Sequence, residues 1–329
     1  MDFENIDLTL STSPHVHSPD NTRSIMLDVI IALLPAMIGS IYFFGFRSLI
    51  LMAVSVAACV IFEYLYRRLM KKDNTVGDCS AIVTGLLLAM VCPATIPYWA
   101  IIIGDFFAII VVKQLFGGIG CNFLNPALAG RAFLFSYPVL MTTWPAVGSR
   151  LNLIGSNIDA VTAATPMASL HQGLLPDASL LDCFVGYIGG SLGETSAVLL
   201  LAGFLYLLVR KVISPRIPVA FVATVAVLAF LFPQGNDRLV WTGYQVLSGG
   251  LLLGAIFMAT DYATSPVTKW GQVIYGVGCG VITFGIRYFG SYAEGVTYAI
   301  LIMNITATLL DKVGVPKRFG YVKPKKEAE

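Results

Sequence analysis

Long apolar runs separated by short polar breaks dominate this chain, and their length sets the fold class. Runs that can cross a bilayer as helices, at about 20 residues each, cover 24–46, 49–69, 79–95, 98–116 and 121–140. A polar stretch over 141–183 follows, and further runs cover 184–209, 217–233, 243–261, 271–289 and 292–311. The pattern predicts an all-α polytopic membrane protein with about ten transmembrane helices in two sets of five. Pro and Gly interrupt the third, fifth and eighth runs, which are therefore expected to be the least regular.

Composition agrees with this reading. Hydrophobic residues make up 57% of the chain and charged residues 12%, and the mean hydropathy is +0.78. Soluble domains usually carry about 25% charged residues. The 329 residues are expected to form one integral membrane domain, not a secreted or cytosolic enzyme. A net charge of +2 points to no nucleic-acid partner. Residues 1–22 hold Asp2, Glu4, Asp7 and Asp20, with no basic region and no cleavage site after an apolar core. The first run is thus read as a retained helix and not as a signal peptide. The six cysteines contain no Cys-x-x-Cys, and Cys59, Cys92 and Cys279 fall inside apolar runs. A chain-bound iron–sulfur cluster needs about four thiolates, so these cysteines are read as packing residues and no metal site is expected.

Charge sets the predicted orientation. With the N-terminus in the cytoplasm, the inside segments carry 16 Lys and Arg and the outside loops carry four: Arg47, Arg150, Arg238 and Arg287. That asymmetry follows the positive-inside rule. It gives a cytoplasmic N-terminus (1–23), a first five-helix half (24–140), an extracytoplasmic loop (141–183), a second half (184–311) and a basic cytoplasmic tail (312–329). An internal repeat supports the division. Gly85-Leu-Leu-Leu-Ala-Met-Val-Cys-Pro-Ala-Thr95 aligns without gaps on Gly250-Leu-Leu-Leu-Gly-Ala-Ile-Phe-Met-Ala-Thr260, with six of eleven positions identical. Five spans separate the copies, so they run in opposite directions, as in inverted repeats.

Several constellations could carry chemistry. From Lys113 to Phe133, glycines, Asn122, Asn125 and Pro126 stand where the fourth span turns into the fifth. Irregular backbone at membrane depth must be buried in protein or line a cavity. A half-helix starting at Asn125-Pro126 would point its N–H groups inward; a glycine-rich cytoplasmic turn is the other reading. Asn125-Pro126-Ala127 also matches half of the paired water-channel motif, but the second half of the chain has no copy. At the inner end of the eighth span, Phe257-Met-Ala-Thr-Asp261-Tyr-Ala-Thr-Ser-Pro266 either lines a central cavity or caps a helix end through Asp261 and its neighbouring hydroxyls. Asp105 stands among Ile103, Phe106 and Phe107 in the fourth span, and a carboxylate there is a functional candidate. Its structural alternative is a pair with Arg131. Asp28 and Glu63 are expected to snorkel or cap at the inner boundary, and Glu194 lies among small residues in the sixth span. Gly276-Val-Gly-Cys-Gly280 lacks the strand–turn–helix context of a nucleotide site.

The long polar loop carries the most specific string, Asp159-Ala-Val-Thr162-Ala163-Ala164-Thr165-Pro166. It resembles the covalent flavinylation site of Rnf and Nqr respiratory complexes, in which the last Thr carries FMN through a phosphoester bond. The Asn-Pro-Ala segment, the Met-Ala-Thr-Asp segment and the stretch from Asp28 to Pro35 resemble the same family of membrane proteins, the NqrB/RnfD family. The short N-terminus and Thr-Ala-Ala-Thr, in place of Ser-Gly-Ala-Thr, resemble the Rnf branch.

The resemblance implies covalent FMN on Thr165, with Asp159, Thr162, Ala163 and Ala164 completing the site and Thr162 as the rival acceptor. It also implies a non-covalent riboflavin in the span bundle. The implied partners are the other members of a six-subunit complex in the bacterial cytoplasmic membrane, including a second FMN-bearing subunit and iron–sulfur subunits. Within that complex the chain would pass electrons between ferredoxin-side and NAD-side partners, coupled to Na+ or H+ movement. It would not be catalytic alone, and Asp105, Asn125 and Asp261 would mark the ion path. An inverted-repeat transporter or channel without a redox cofactor is the competing class. The orientation is testable by labelling with a membrane-impermeant thiol reagent in a background without native thiols. Asn157→Cys should be modified in intact cells and Lys325→Cys spared; the reverse pattern refutes the orientation.

Overall fold

In a computed structural model of the chain, the residues described are 20–148, 151, 153, 165–235, 237–292, 294–313 and 315. Among them the chain is helical throughout and contains no strand. The first half comprises α1 (Thr22–Phe44), α2 (Phe46–Leu69), α3 (Ser80–Met90), α4 (Tyr98–Phe106, running on in wider π turns through Phe107–Gln114), α5 (Pro126–Leu134) and the short α6 (Pro138–Met141). Two short helices, α7 (Pro166–His171) and α8 (Leu180–Val185), lie in the polar connection. The second half comprises α9 (Ala197–Val209), α10 (Arg216–Leu231), α11 (Arg238–Leu247), α12 (Leu251–Leu253, running on in π turns through Gly254–Met258), α13 (Lys269–Phe289) and α14 (Val296–Val313).

Three helices, α1, α2 and α14, are long and apolar enough to cross a membrane on their own. A fourth span requires α11 and α12 together, which meet at a bend of 59°. The third, fifth and eighth runs, flagged by Pro and Gly, are irregular, and so is the sixth, which is not flagged. The third run is helical only over Ser80–Met90, and the stretch 91–97 that follows is non-helical yet buried at every residue. The fifth divides into α5 and α6, and the eighth breaks at Ser248–Gly250. The sixth begins with a buried non-helical segment, 191–196, and becomes helical only at Ala197.

Buried irregular backbone must find partners for its polar groups, because no water reaches them. The partners are specific. Gly193 N–H donates to the Met90 carbonyl at 2.7 Å and Leu192 N–H to that of Cys92 at 3.1 Å, joining the two non-helical stretches. Arg47, fully buried in the first turn of α2, donates to the carbonyls of Ala94 (2.7 Å) and Ile96 (3.0 Å). In the second half Arg287, near the end of α13, donates to the carbonyls of Gln245 (2.6 Å) and Ser248 (3.4 Å) beside the α11–α12 bend. The breaks in the third and eighth runs are therefore each closed by a buried arginine.

Helix α1 packs on α9, α2 on α3 and α4, α10 on α11 and α13, α13 on α14, and α5 on α14. Small residues set these approaches, as is common between membrane helices. Gly276 and Gly280 face α10: a Cβ at Gly276 would fall 2.8 Å from Ala220 Cβ, and one at Gly280 2.6 Å from Thr224 Cβ. The glycine string in the ninth run is thus a packing groove. Overpacking such a contact costs about 1–3 kcal/mol, so Gly276→Val should lower the thermal unfolding midpoint of the detergent-solubilised protein. Gly285→Ala, on the same helix with nothing within 4 Å of its Cβ, should leave the midpoint unchanged or raise it slightly. Equal effects from the two would show that α10 does not press on α13 at Gly276.

Candidate functional site

A cavity and a smaller recess lie at opposite ends of α9. The larger encloses about 750 Å³, counting its open mouth, and is walled by residues of both halves. Asn125, Pro126 and Ala127 form one side; Ile256, Phe257, Thr260 and Asp261 form the other. The fold thus brings together the Asn-Pro-Ala and Met-Ala-Thr-Asp segments, which are more than a hundred residues apart in the chain.

Asn125 makes that junction. Its side-chain oxygen accepts from the N–H groups of Ala127 (3.1 Å) and Leu128 (3.3 Å), capping α5, and Pro126 fits the first helical position. Its amide nitrogen donates to the Met258 carbonyl at the end of α12, at 3.2 Å. With the Asn304 amide of α14 assigned from its hydrogen-bonding surroundings, its oxygen accepts from the Asn125 backbone N–H (3.1 Å) and its nitrogen donates to the Thr264 carbonyl (3.3 Å). The half-helix reading of this segment holds, and the cap ties α5 to α12 and α14.

A buried ion pair borders the same cavity. Lys113 Nζ lies 2.7 Å from Glu63 Oε2 and 2.6 Å from Ser80 Oγ, and Thr75 Oγ1 donates to Glu63 Oε1 at 2.7 Å. Glu63 neither snorkels nor caps at a boundary, as the sequence alone suggests; it is completely buried. Lys113 lies 50 positions away, a pairing that no local pattern announces. Asp28 is held by Arg210 (3.2 Å) and Tyr206 (2.8 Å) of the α9 region. Asp261 accepts from Thr264 Oγ1 at 3.1 Å and lines the cavity, whereas the helix that follows, α13, is capped by Thr268.

At the other end of α9, a shallow recess open to solvent is lined by Thr165, Gly189, Gly190, Glu194, Gly249 and Glu294, among others. Thr165 caps α7 by accepting from Ala168 N–H at 3.2 Å. Asp159, Thr162, Ala163 and Ala164 lie outside the described residues. Behind the wall, Arg131 donates to Glu194 (3.1 Å), Glu294 (2.7 Å) and Thr297 (3.2 Å). Arg131 therefore pairs with these carboxylates and not with Asp105. It fastens α5, the segment before α9 and the start of α14 to one another, and Glu194 serves in this cluster. Because Glu194 closely precedes α9 and Leu207 lines the larger cavity from its last turn, the cavity and the recess are separated by about 15 Å of helix.

Asp105 is fully buried between α2 and α4. Its Oδ1 lies 2.7 Å from Ser55 Oγ and 3.2 Å from Cys59 Sγ, both on α2. None of the ion pairs among the described residues includes it. Asp105, Asn125 and Asp261 therefore do not form one cluster: Asn125 and Asp261 share the larger cavity, and Asp105 lies apart.

Likeness to known proteins extends over nearly the whole chain. A family model described as the NQR2, RnfD, RnfE family matches residues 9–320. The chain is 46% identical to the D subunit of the Na(+)-translocating ferredoxin:NAD(+) oxidoreductase complex of Acetobacterium woodii, across 98% of this chain and 99% of that one. It is 42% identical to the D subunit of the proton-translocating ferredoxin:NAD(+) oxidoreductase complex of Clostridium ljungdahlii, across 95% and 96%. To the D subunit of the ion-translocating oxidoreductase complex of an Escherichia coli strain it is 32% identical, across 95% and 99%. With buried breaks at the third and eighth runs, an Asn-Pro-Ala junction between the halves and this likeness from end to end, the chain belongs to the NQR2, RnfD, RnfE family.

Proposed function

We propose that this chain is the membrane subunit of an Rnf-type complex, carrying FMN on Thr165 and passing electrons between ferredoxin-side and NAD-side partners coupled to Na+ or H+ movement. Its functional context comes from relatives named as the D subunits of such complexes. The observation that carries the flavin reading is the place of Thr165. The last hydroxyl of the flavinylation-like string borders a recess whose wall includes the bare backbone of Gly189, Gly190 and Gly249. The residues suit a phosphoester: the hydroxyl oxygen already acts as an acceptor toward Ala168 N–H, a role an ester oxygen keeps. Arg131 offsets the nearby carboxylates. Bound there, FMN supplies one- and two-electron chemistry, and the protein supplies attachment, position and surrounding charge.

The larger cavity suits a second, non-covalent flavin such as riboflavin. Apolar walls from Met26, Leu87, Leu207 and Phe257 meet a few polar groups, including Lys113, Asn122 and Asp261. The packing supports an inverted arrangement of the halves. Contacts of α2 with α3 and α4 correspond to those of α10 with the broken α11–α12 pair and α13, while α1–α9 and α5–α14 pair equivalent helices across the halves. The setting is a six-subunit complex in the bacterial cytoplasmic membrane with both termini inside, alongside a second FMN-bearing subunit and iron–sulfur subunits. A transporter without a cofactor shares the helix arrangement but leaves the Thr165 string without a role.

Peptide mass spectrometry of the protein from cells with a flavin transferase should place an FMN-phosphate adduct on Thr165, and Thr165→Val should abolish in-gel flavin fluorescence. An adduct on Thr162, or none, refutes the assignment. Asp105 is proposed to lie on the coupling-ion path. Asp105→Asn should keep flavin content and assembly while ion transport by reconstituted vesicles falls far more than electron transfer. Unchanged transport removes Asp105 from the path, and loss of the protein from the membrane makes its role structural.

A further inference from the structure

The hydrogen-bonding groups around Asp105 have one proton too few if its side chain is a carboxylate. Ser55 Oγ lies 2.7 Å from Asp105 Oδ1 and 2.8 Å from the Gly85 carbonyl oxygen. A serine hydroxyl carries a single proton. With Asp105 ionised, that proton serves one of the two contacts and the other sets two oxygen lone pairs against each other at bonding distance. The conflict sits where α3 presses its backbone on α2: a Cβ at Gly85 would fall 2.9 Å from Val56 Cα.

A proton on Oδ1 resolves the conflict. The carboxylic acid then donates to Ser55 Oγ, and the serine hydroxyl donates onward to the Gly85 carbonyl. Cys59, whose thiol lies 3.2 Å away, donates to the lone pair left on Oδ1. Two further observations point the same way. Asp105 Oδ2 is buried without a hydrogen-bond partner, which a neutral carbonyl oxygen tolerates far better than an anion. The buried cations of the neighbouring elements are engaged elsewhere: Lys113 of α4 with Glu63 and Ser80, and Arg131 of α5 with Glu194, Glu294 and Thr297. The other titratable groups near this point, Cys59 of α2 and Cys92 after α3, are buried thiols and bring no positive charge.

We propose that Asp105 is a proton-binding site: in this arrangement of the helices it holds a proton as a carboxylic acid, relayed through Ser55 to the backbone of α3. Losing that proton leaves Ser55 to bond either Asp105 or Gly85. Discharge of the site thus loosens the α2–α3 contact or draws a cation to the two carboxylate oxygens. This deepens the ion-path assignment and rests on it for the use made of the proton, whereas occupancy of the site is measured separately from transport.

Infrared difference spectroscopy on the purified whole complex tests it. The wild-type minus Asp105→Asn spectrum should contain a protonated-carboxyl C=O band that moves down in heavy water. Ser55→Ala keeps the acid but removes its acceptor, so the band should shift to higher wavenumber. Absence of the band in the Asp105→Asn difference, from complex with full subunit content, overturns the proposal. If that variant fails to assemble, the Ser55→Ala spectrum decides: a shifted band supports the proposal and no carboxyl signal overturns it. A band present while Asp105→Asn transports ions normally would refute the ion path alone.

Discussion

Every polar backbone group that this chain places among apolar side chains has to be bonded within the protein, and that constraint organises the structure. An unbroken helix meets it by itself, whereas a broken one does not. The chain breaks its third and eighth runs and delays the start of its sixth, so it needs donors at the breaks. Arg47 and Arg287 supply them from neighbouring helices, and the Leu192–Gly193 amides supply them from the other half. Guanidinium suits the task because one side chain reaches two carbonyls while its charge is spread over a planar group.

Charge pairing then ties the helices around those breaks. Glu63 and Lys113 join α2 to the π-turn end of α4, Asp28 and Arg210 join α1 to the end of α9, and Arg131 gathers Glu194 and Glu294. Severing one partner of the buried Glu63–Lys113 or Arg131 pairs typically costs about 3–5 kcal/mol, whereas Asp28–Arg210, with its guanidinium half exposed, contributes less. The cavity and the recess lie at opposite ends of α9.

Much of this is legible in the sequence, and the rest is hidden for definite reasons. Hydropathy locates the apolar runs, three of which form helices long enough to cross a membrane among the described residues, and Pro and Gly mark the third, fifth and eighth as irregular but not the sixth. Chemistry-bearing strings are legible too: Asn125-Pro126 starts a helix as its residue types require. Helix lengths are not, because α3 ends at Met90 although Val91, Cys92 and Ala94 remain as apolar as a helix interior. Arg47 and Arg287 read as loop charges, and the structure buries both; a side chain's partners across 40 or so positions leave no mark on local pattern. The same applies to Arg131, whose carboxylates come from two segments more than 60 positions away. The part of the flavinylation-like string before Thr165 is known from its residues alone.

Asn125 has spent the bonds its side-chain oxygen and backbone N–H offer here, and one of the two N–H groups of its amide. Two lone-pair contacts stop the end of α5, one N–H reaches α12, and the backbone N–H reaches α14. A ligand that took its carbonyl oxygen would therefore uncap α5, whereas one that accepts from the second amide N–H can bind with the Met258 bond intact. The residue thus has an unequal response to its visitors: an acceptor leaves the junction standing, and a donor has to displace a helix cap.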